Sequence, residues 1–541
     1  MMTAQAAVSA VELRGISKFF NGVPANQEID LQVRAGSIHA IIGENGAGKS
    51  TAMKILYGIH RPDAGEILIR GDKKIWSTPA QAISAGIGMV HQHFMLAGPY
   101  SALENILLGV EIANSSAPLL KRAFESLARP VDRKGAKARL DRLADQYGLR
   151  KIDWDLPIET LPVGVQQRVE ILKLLYQEAS ILILDEPTAV LTPQETEELF
   201  SNLKKLTKDG KTILIITHKL KEVMSLADEV TVLRAGRVVG RRAVADTKVE
   251  ELASLMVGRK VNLKIEPPSK PVPRDPVLEI SDLHLSTAPG RARRVHPLEK
   301  ISFSVRGGEV VGIAGVEGNG QSELLQVLLH PRDFSKRNSA SVAHATGSVR
   351  CLGRVTLNER TRLRAEEIKL LGVGVIPEDR HREGLLLERS MEENFLLGHQ
   401  KRSAFSSKGF ILRKSLRESA LRAIEVYDVR PRVIDLEVEA LSGGNQQKLI
   451  IAREFECEPK LLIAAQPTRG VDVGAIEFIH RRILEAREKG AGVLLVSSEL
   501  DEILALADRI LVMYAGRIVA QFNRGEASEQ VLGLSMGGAH A

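Results

Sequence analysis

Long apolar runs are missing from this chain of 541 residues. No uninterrupted hydrophobic stretch approaches the ~18–20 residues that a helix needs to cross a bilayer, so the chain is not expected to span a membrane by itself. Cysteine is nearly absent. Cys351 and Cys457 are the only two, which excludes a disulfide framework and fits a reducing compartment. Aromatic residues make up 4% of the chain, too few for a platform on which bases would stack. Charge of one sign is not in large excess either, because 74 basic and 67 acidic residues are interspersed and leave a net charge of +7. Nucleic acid is therefore not an expected partner. The basic clusters Arg291–Arg294 and Arg350–Arg364 read as solvated loops, and the residual positive charge fits the neighbourhood of an anionic leaflet. The first ten residues lack the basic-then-apolar pattern of a secretory leader.

What is present begins with Gly43, Glu44, Asn45, Gly46, Ala47, Gly48, Lys49 and Ser50, followed by Thr51. This is the phosphate-cradling pattern G-x-x-x-x-G-K-[ST], in the context it requires. The apolar run Ile38–Ile42 before it reads as a buried strand, and Thr51–Leu56 after it as the start of a helix. The glycines let successive backbone N–H groups turn inward around a phosphate, and the helix N-terminus adds its partial positive charge. Lys49 is placed to reach the β- and γ-phosphates, and Ser50 to ligate Mg²⁺.

A damaged copy of this segment stands in the second half. Gly315, Gly318, Gly320 and Ser322 repeat the loop after another apolar strand, but Gln321 occupies the lysine position. The correspondence continues at a spacing of 280 residues: Leu182–Thr188 with Leu462–Thr468, Ile216–His218 with Val496–Ser498, Ala235–Val238 with Ala515–Ile518. A fixed offset over several motifs marks a duplicated domain. Between the copies, five prolines in Glu266–Pro276 preclude a helix and favour an extended linker. The expected organisation is a first domain over 1–260, a linker over 261–277 and a second domain over 278–541. Each half alternates apolar strands with helical stretches, for example Ala179–Leu184 before Pro193–Leu206, which predicts an α/β fold with a largely parallel sheet.

The run Leu441-Ser442-Gly443-Gly444-Asn445-Gln446-Gln447-Lys448 completes the set. With both phosphate loops and both strand-end motifs, it resembles the signature of the ATP-binding cassette proteins, specifically the tandem subunits of bacterial importers for sugars and nucleosides. The resemblance spans about Val11 to Ala520. It implies two tandem P-loop NTPase domains, each with a mainly parallel core sheet, an antiparallel β part and a helical subdomain, at about Ser101–Leu161 and Met391–Leu441. It also implies ATP and Mg²⁺ as ligands, integral-membrane permease subunits as partners, an extracytoplasmic solute-binding protein reached through the permease, and a place at the cytoplasmic face of the inner membrane.

The site residues follow position by position. Asp185 would hold Mg²⁺ with Ser50 and Gln92, Glu186 would act as general base, and His218 would hold the attacking water in line. Phe20 falls where the family stacks a ring on adenine, although a core phenylalanine reads nearly as well. His91 and His93, without a third ligand, are weak metal candidates. In the first half the signature is altered: Pro162 replaces its serine and Val163 a glycine, with Gly164 kept. In the second half Gln321, Ala465, Gln466 and Ser498 replace the charged groups, and Glu378 stands where the first half has Gln92.

In this family two cassettes pair head to tail, so each nucleotide meets one domain's phosphate loop and the other's signature. The intact Lys49, Asp185, Glu186 and His218 then join the intact Ser442, Gly443, Gly444 and Asn445. The altered Gln321, Gln466 and Ser498 join the altered Pro162–Gly164. The expectation is one hydrolytic site and one degenerate site that binds nucleotide weakly or statically. Three functions are compatible with a tandem cassette: an importer ATPase, a cytosolic tandem-cassette translation factor, and a nucleotide-binding scaffold without turnover. The short proline-rich linker argues against the second and the complete first site against the third. Details of both halves resemble the nucleoside-importing branch, with the ribose, xylose and galactose branch close behind.

Overall fold

A computed structural model of the chain describes residues 9–91, 94–109, 132–149, 152–188, 191, 193–259, 274–287, 297–316, 318–334, 343–471 and 473–538. Gln92, His93, the segment 260–273 and the cluster Arg291–Arg294 lie outside the described residues. The chain divides into two compact units, Met1–Val261 and Asn262–Ala541.

The first unit opens with β1 (Ser9–Phe20), β2 (Val23–Arg34) and β3 (Ile38–Gly43). There follow β4 (Ala64–Ile69), β5 (Asp72–Lys74), β6 (Ile87–Val90), β7 (Ile181–Asp185), β8 (Thr212–Ile216), β9 (Glu229–Arg234) and β10 (Arg237–Ala243). Four of them form an antiparallel sheet in the order β2-β1-β4-β5. The other six form a sheet in the order β10-β9-β3-β8-β7-β6, in which β3 and β6 to β9 run parallel and β10 closes one edge antiparallel. Every residue of β3, β7 and β8 is buried, as expected of parallel strands covered on both faces.

The second unit repeats the plan with β11 (Pro276–Thr287), β12 (Leu298–Arg306), β13 (Val310–Ala314), β14 (Ala343–Cys351), β15 (Arg354–Leu357) and β16 (Val373–Ile376). Next come the short β17 (Ser406–Ser407) and β18 (Phe410–Ile411), then β19 (Leu461–Ala465), β20 (Gly492–Ser497), β21 (Arg509–Tyr514) and β22 (Arg517–Asn523). Its large sheet runs β16-β19-β20-β13-β21-β22, the same order as the first unit's. Alternate residues serve opposite faces. Val311, Ile313, Ile463, Leu494 and Val496 pack with the antiparallel sheet, while Val310, Leu462, Ala464, Val493 and Leu495 pack under the helices. The α/β expectation holds in both units.

The segment of the first unit expected to be helical, about Ser101–Leu161, contains Ala102–Leu107 and Arg133–Tyr147, and the signature helix Val163–Tyr176 follows it. That of the second, about Met391–Leu441, contains Met391–Leu396 and Arg413–Val426, with the signature helix Gly443–Phe455 after it, and also a feature that helical periodicity does not show, the hairpin β17–β18. Its two-residue turn, Lys408-Gly409, has positive φ at both positions, 50° and 85°, the backbone that a tight hairpin turn requires.

Candidate nucleotide site

The phosphate loop leaves the carboxyl end of β3, at the centre of the parallel sheet. The helix after it begins at Lys49, two residues earlier than the sequence pattern indicates, because Gly48 caps it in the left-handed region at φ 93°. A side chain there is not tolerable: a Cβ on Gly48 would lie 2.4 Å from the Asn26 amide nitrogen and 2.5 Å from the Ala25 carbonyl oxygen. Asn26 is fully buried and donates from Nδ2 to the Gly48 carbonyl at 3.1 Å, so β2 grips the turn from behind. On the open side, a Cβ on Gly46 would meet nothing within 4 Å. The loop is thus a cradle with a closed back and an open mouth, which fits a phosphate.

Lys49 is buried, and its ammonium donates to the carbonyl oxygens of Gly43 at 2.8 Å and Glu44 at 2.9 Å. Burial pulls its pKa below the ordinary lysine value, and the carboxylates of Glu186, Asp185 and Glu44 oppose that shift. Asp185 ends β7, and Ser50 hydrogen-bonds to it, so a hydroxyl and a carboxylate oxygen converge as a hard oxygen donor pair. Burial pushes the Asp185 carboxyl up, and the neighbouring Glu186 charge adds to the rise.

Glu186 takes the left-handed backbone at φ 48°, an uncommon conformation outside glycine that turns its side chain off the strand end. Its Oε1 lies 3.0 Å from His218 Nδ1, which follows β8, the strand between β3 and β7. Burial pushes the Glu186 carboxyl up, but the His218 hydrogen bond and charge, with Lys49, outweigh it and hold the group below the ordinary carboxylate value. Lys49, Ser50, Asp185, Glu186 and His218 therefore converge at the carboxyl ends of three adjacent strands. Open α/β sheets bind ligands at that place.

Phe20 lies at the end of β1 with 42% of its surface exposed, which removes the core reading. Its ring meets His60 edge-on at 5.3 Å, and Lys18 Nζ lies 5.6 Å from the ring centre. His91 packs against Tyr57, and among the described residues no cluster of three or more His, Cys, Asp or Glu side chains is arranged to hold a metal.

The second phosphate loop keeps the shape and loses the charge. Gly318 and Gly320 have φ of 90° and 106°. The Gln321 amide donates to the Val316 carbonyl at 3.2 Å and accepts from the Asn319 N–H at 3.2 Å, so it spans the loop as the lysine ammonium does in the first unit. Gln466 repeats the left-handed turn of Glu186 at φ 45°, and Ser498 donates to it from N–H and hydroxyl, both at 3.2 Å. Ala465 offers no carboxylate at the end of β19. Instead, Ser322 donates to Glu378 Oε2 at 2.7 Å.

At the signatures, Ser442 caps the helix Gly443–Phe455 and accepts from Asn445 Nδ2 at 2.9 Å. Ser442 and Asn445, with Arg430, Pro431 and Arg432, line a cavity of about 660 Å³. Pro162 caps the equivalent helix Val163–Tyr176 without any side-chain hydrogen bond, and Val163 is 43% exposed at its first turn. A Cβ on Gly164 would lie 2.4 Å from Glu195 Oε1.

Three residues have positioning roles that the sequence reading did not give them. Glu222 is buried, bonded by the Thr188 hydroxyl and by Thr217 Oγ1 at 3.1 Å, so it ties the loop after Glu186 to the residue before His218. The signal was its spacing, four residues after His218 on the face of a short helix. Gln447 Nε2 donates to the Pro467 carbonyl at 2.8 Å, and Gln167 does the same to Pro187.

The family described as ABC transporter matches residues 26–189 and 298–469. The chain belongs to the ABC transporter family. It is an ATP-binding ATPase built from two cassettes. It is 45% identical over 530 residues to the guanosine import ATP-binding protein NupO of Bacillus subtilis, covering 98% of this chain and 97% of the relative. The nucleoside import ATP-binding protein NupA of Lactococcus lactis is 42% identical, with 98% of each chain covered. The glucose import ATP-binding protein TsgD13 of Haloferax volcanii is also 42% identical, over 98% of this chain and 96% of its own.

Proposed function

We propose that this ABC ATPase energises the import of nucleosides through a membrane permease, with hydrolysis confined to the site built on Lys49. The observation that carries the reading is the convergence of Lys49, Ser50, Asp185, Glu186 and His218 in the first unit, against neutral groups at Gln321, Ala465, Gln466 and Ser498 in the second. Backbone donors of Gly46–Ser50 and the Lys49 ammonium hold the phosphates. Ser50 and Asp185 would hold Mg²⁺, with Gln92 as a further candidate outside the described residues; the ion neutralises charge on the β- and γ-phosphates when bound. Glu186 is ionised at neutral pH and accepts a hydrogen bond from the attacking water. His218 fixes the orientation of that carboxylate. Ser442, Gly443, Gly444 and Asn445 serve as the signature for this nucleotide. The second phosphate loop, with Glu378 and Ser322, binds nucleotide weakly and works with Pro162–Gly164.

Among the described residues no helix is long and apolar enough to cross a membrane. Permease subunits, favoured by the relatives named as import ATP-binding proteins, would hold the chain peripherally at the cytoplasmic face and link it to an extracytoplasmic solute-binding protein. Nucleosides are favoured by the two relatives named for guanosine and nucleoside import. A strain deleted for this chain should lose uptake of labelled guanosine, regain it with the wild-type chain, and not regain it with Glu186→Gln. Intact guanosine uptake together with lost glucose or ribose uptake would transfer the assignment to sugars, the reading that the glucose-import relative favours.

A further inference from the structure

Between strand β16 and the helix Met391–Leu396 the second unit carries a longer segment than the first has between β6 and the helix Ala102–Leu107. From the end of β6 to the capping serine Ser101 there are eleven residues, and from the end of β16 to the capping serine Ser390 there are fourteen. The longer segment winds into a turn over Arg380–Gly384, capped by Asp379, which accepts from the N–H groups of His381 and Arg382. Arg380 opens that turn and reaches the start of the signature helix Gly443–Phe455. Its Nη1 donates to the Arg469 carbonyl at 3.0 Å, in the loop after Thr468. Its Nη2 lies 2.6 Å from where a Cβ on Gly443 would stand. The guanidinium therefore fits against the signature only because residue 443 has no side chain. Beside it, His381 Nε2 is 2.9 Å from Gln446 Oε1, one turn along the same helix.

The first unit has changed both partners of this contact. Counted from the strand ends, Phe94 stands where Arg380 stands, and Val163 stands where Gly443 stands. In this chain the arginine stands beside the glycine signature, and the half with the altered signature has an aromatic residue at that position. A cation at the positive end of a helix is disfavoured by the helix dipole. An anion approaching that helix end would offset the cost.

We propose that Arg380 is a positioning residue for ATP turnover. It clamps the Ser442–Gly443 turn to the Arg469–Gly470 loop so that the signature meets the triphosphate in a fixed geometry. The proposal rests on the reading that this signature serves the nucleotide held by Lys49. Because Arg380 acts on the closed complex and not on the phosphate loop, it affects kcat and leaves nucleotide capture unchanged.

The test uses the full chain, with steady-state phosphate release, binding of a fluorescent ATP analogue and thermal melting. Arg380→Phe and Arg380→Gln should lower kcat about tenfold or more, the scale of losing a charge-assisted hydrogen bond. The KM for ATP, the affinity for the analogue and the melting temperature should stay near wild type. Gly443→Val should reproduce the loss by expelling the guanidinium, and the double variant Arg380→Phe/Gly443→Val should be no worse than either single, as expected for partners in one contact. If Arg380→Phe does not fold, Arg380→Gln carries the comparison. Wild-type kcat in the Arg380 variants while Ser442→Ala is impaired overturns the clamp and leaves the site reading standing, and additive losses in the double variant do the same. Wild-type turnover in Ser442→Ala removes the site reading and the clamp with it.

Discussion

At the residue scale, two adjacent carboxyls are driven in opposite directions. Burial and its neighbour's charge raise Asp185, whereas His218 and Lys49 hold Glu186 low. Such divergence separates roles within one site and supports the proposed ones, Asp185 on the metal side and Glu186 as the ionised group facing the water. Glu186→Gln should keep ATP binding and lower phosphate release by roughly 10²-fold or more, the scale of losing a general base; wild-type turnover would rule out the assignment. His218→Ala removes a hydrogen bond and a charge that lower the Glu186 pKa, so that pKa should rise. The acid limb of the kcat/KM profile should then move to higher pH, because protonation of Glu186 would begin closer to neutrality. An acid limb that stays in place would show that another group controls it.

At the scale of elements, the phosphate loop, the strand ends and the signature helix are held by contacts between segments distant in sequence. Asn26 on β2 braces the Gly48 turn, and glutamines of the signature helices bond the carbonyls of Pro187 and Pro467. Gly48→Ala should abolish nucleotide binding and lower stability by more than 1 kcal/mol, because a left-handed backbone and a clash with Asn26 act together; binding of a fluorescent ATP analogue and chemical denaturation report the two effects. In the second unit the fully buried Glu454 joins three elements. It bonds Lys369 at 3.0 Å, Arg453 at 2.9 Å and the Val375 N–H at 3.0 Å. Burial pushes its carboxyl up, but Arg453, His399 and Lys369 prevail and hold it far below the ordinary value. A depressed native carboxylate pKa stabilises the fold above the unfolded value of ~4.3 and loses that contribution as pH falls below it. Glu454→Gln should therefore cost about 3–5 kcal/mol at neutral pH by leaving buried cations uncompensated, and should flatten the acid limb of the stability curve. Denaturant melts at pH 7 and at a series of pH values below 4, where the contribution is lost, would show both.

At the scale of the whole molecule, the chain holds two copies of one topology with altered residues in different places: Pro162 and Val163 at the first unit's signature, Gln321, Ala465, Gln466 and Ser498 at the second unit's phosphate loop and strand ends. Calorimetric titration of the Glu186→Gln chain with ATP should give one tight and one weaker binding event. Gln321→Lys should strengthen the weaker event without adding a second hydrolytic centre, because Ala465, Gln466 and Ser498 remain. Two equal tight events in the unmodified background would refute the asymmetry. Ser322 donates to Glu378 at the second loop, and these two oxygens would hold Mg²⁺ with a nucleotide there without a carboxylate at position 465, so a weak binding event is expected and not none.

The linear sequence determined the phosphate loop, the duplication, the α/β alternation and the sorting of intact and altered motifs. Each depends on residue type at short fixed spacing, such as Gly-Lys-Ser after an apolar strand, and so needs no knowledge of distant contacts. Only the tertiary structure decided that Phe20 is exposed, that Glu186 takes a left-handed backbone, and that Glu378 pairs with Ser322. It alone showed that Gly443 makes room for a guanidinium 63 positions earlier in the chain. Exposure, backbone strain and side-chain partnership arise where segments far apart in sequence meet, and local spacing carries no record of those meetings.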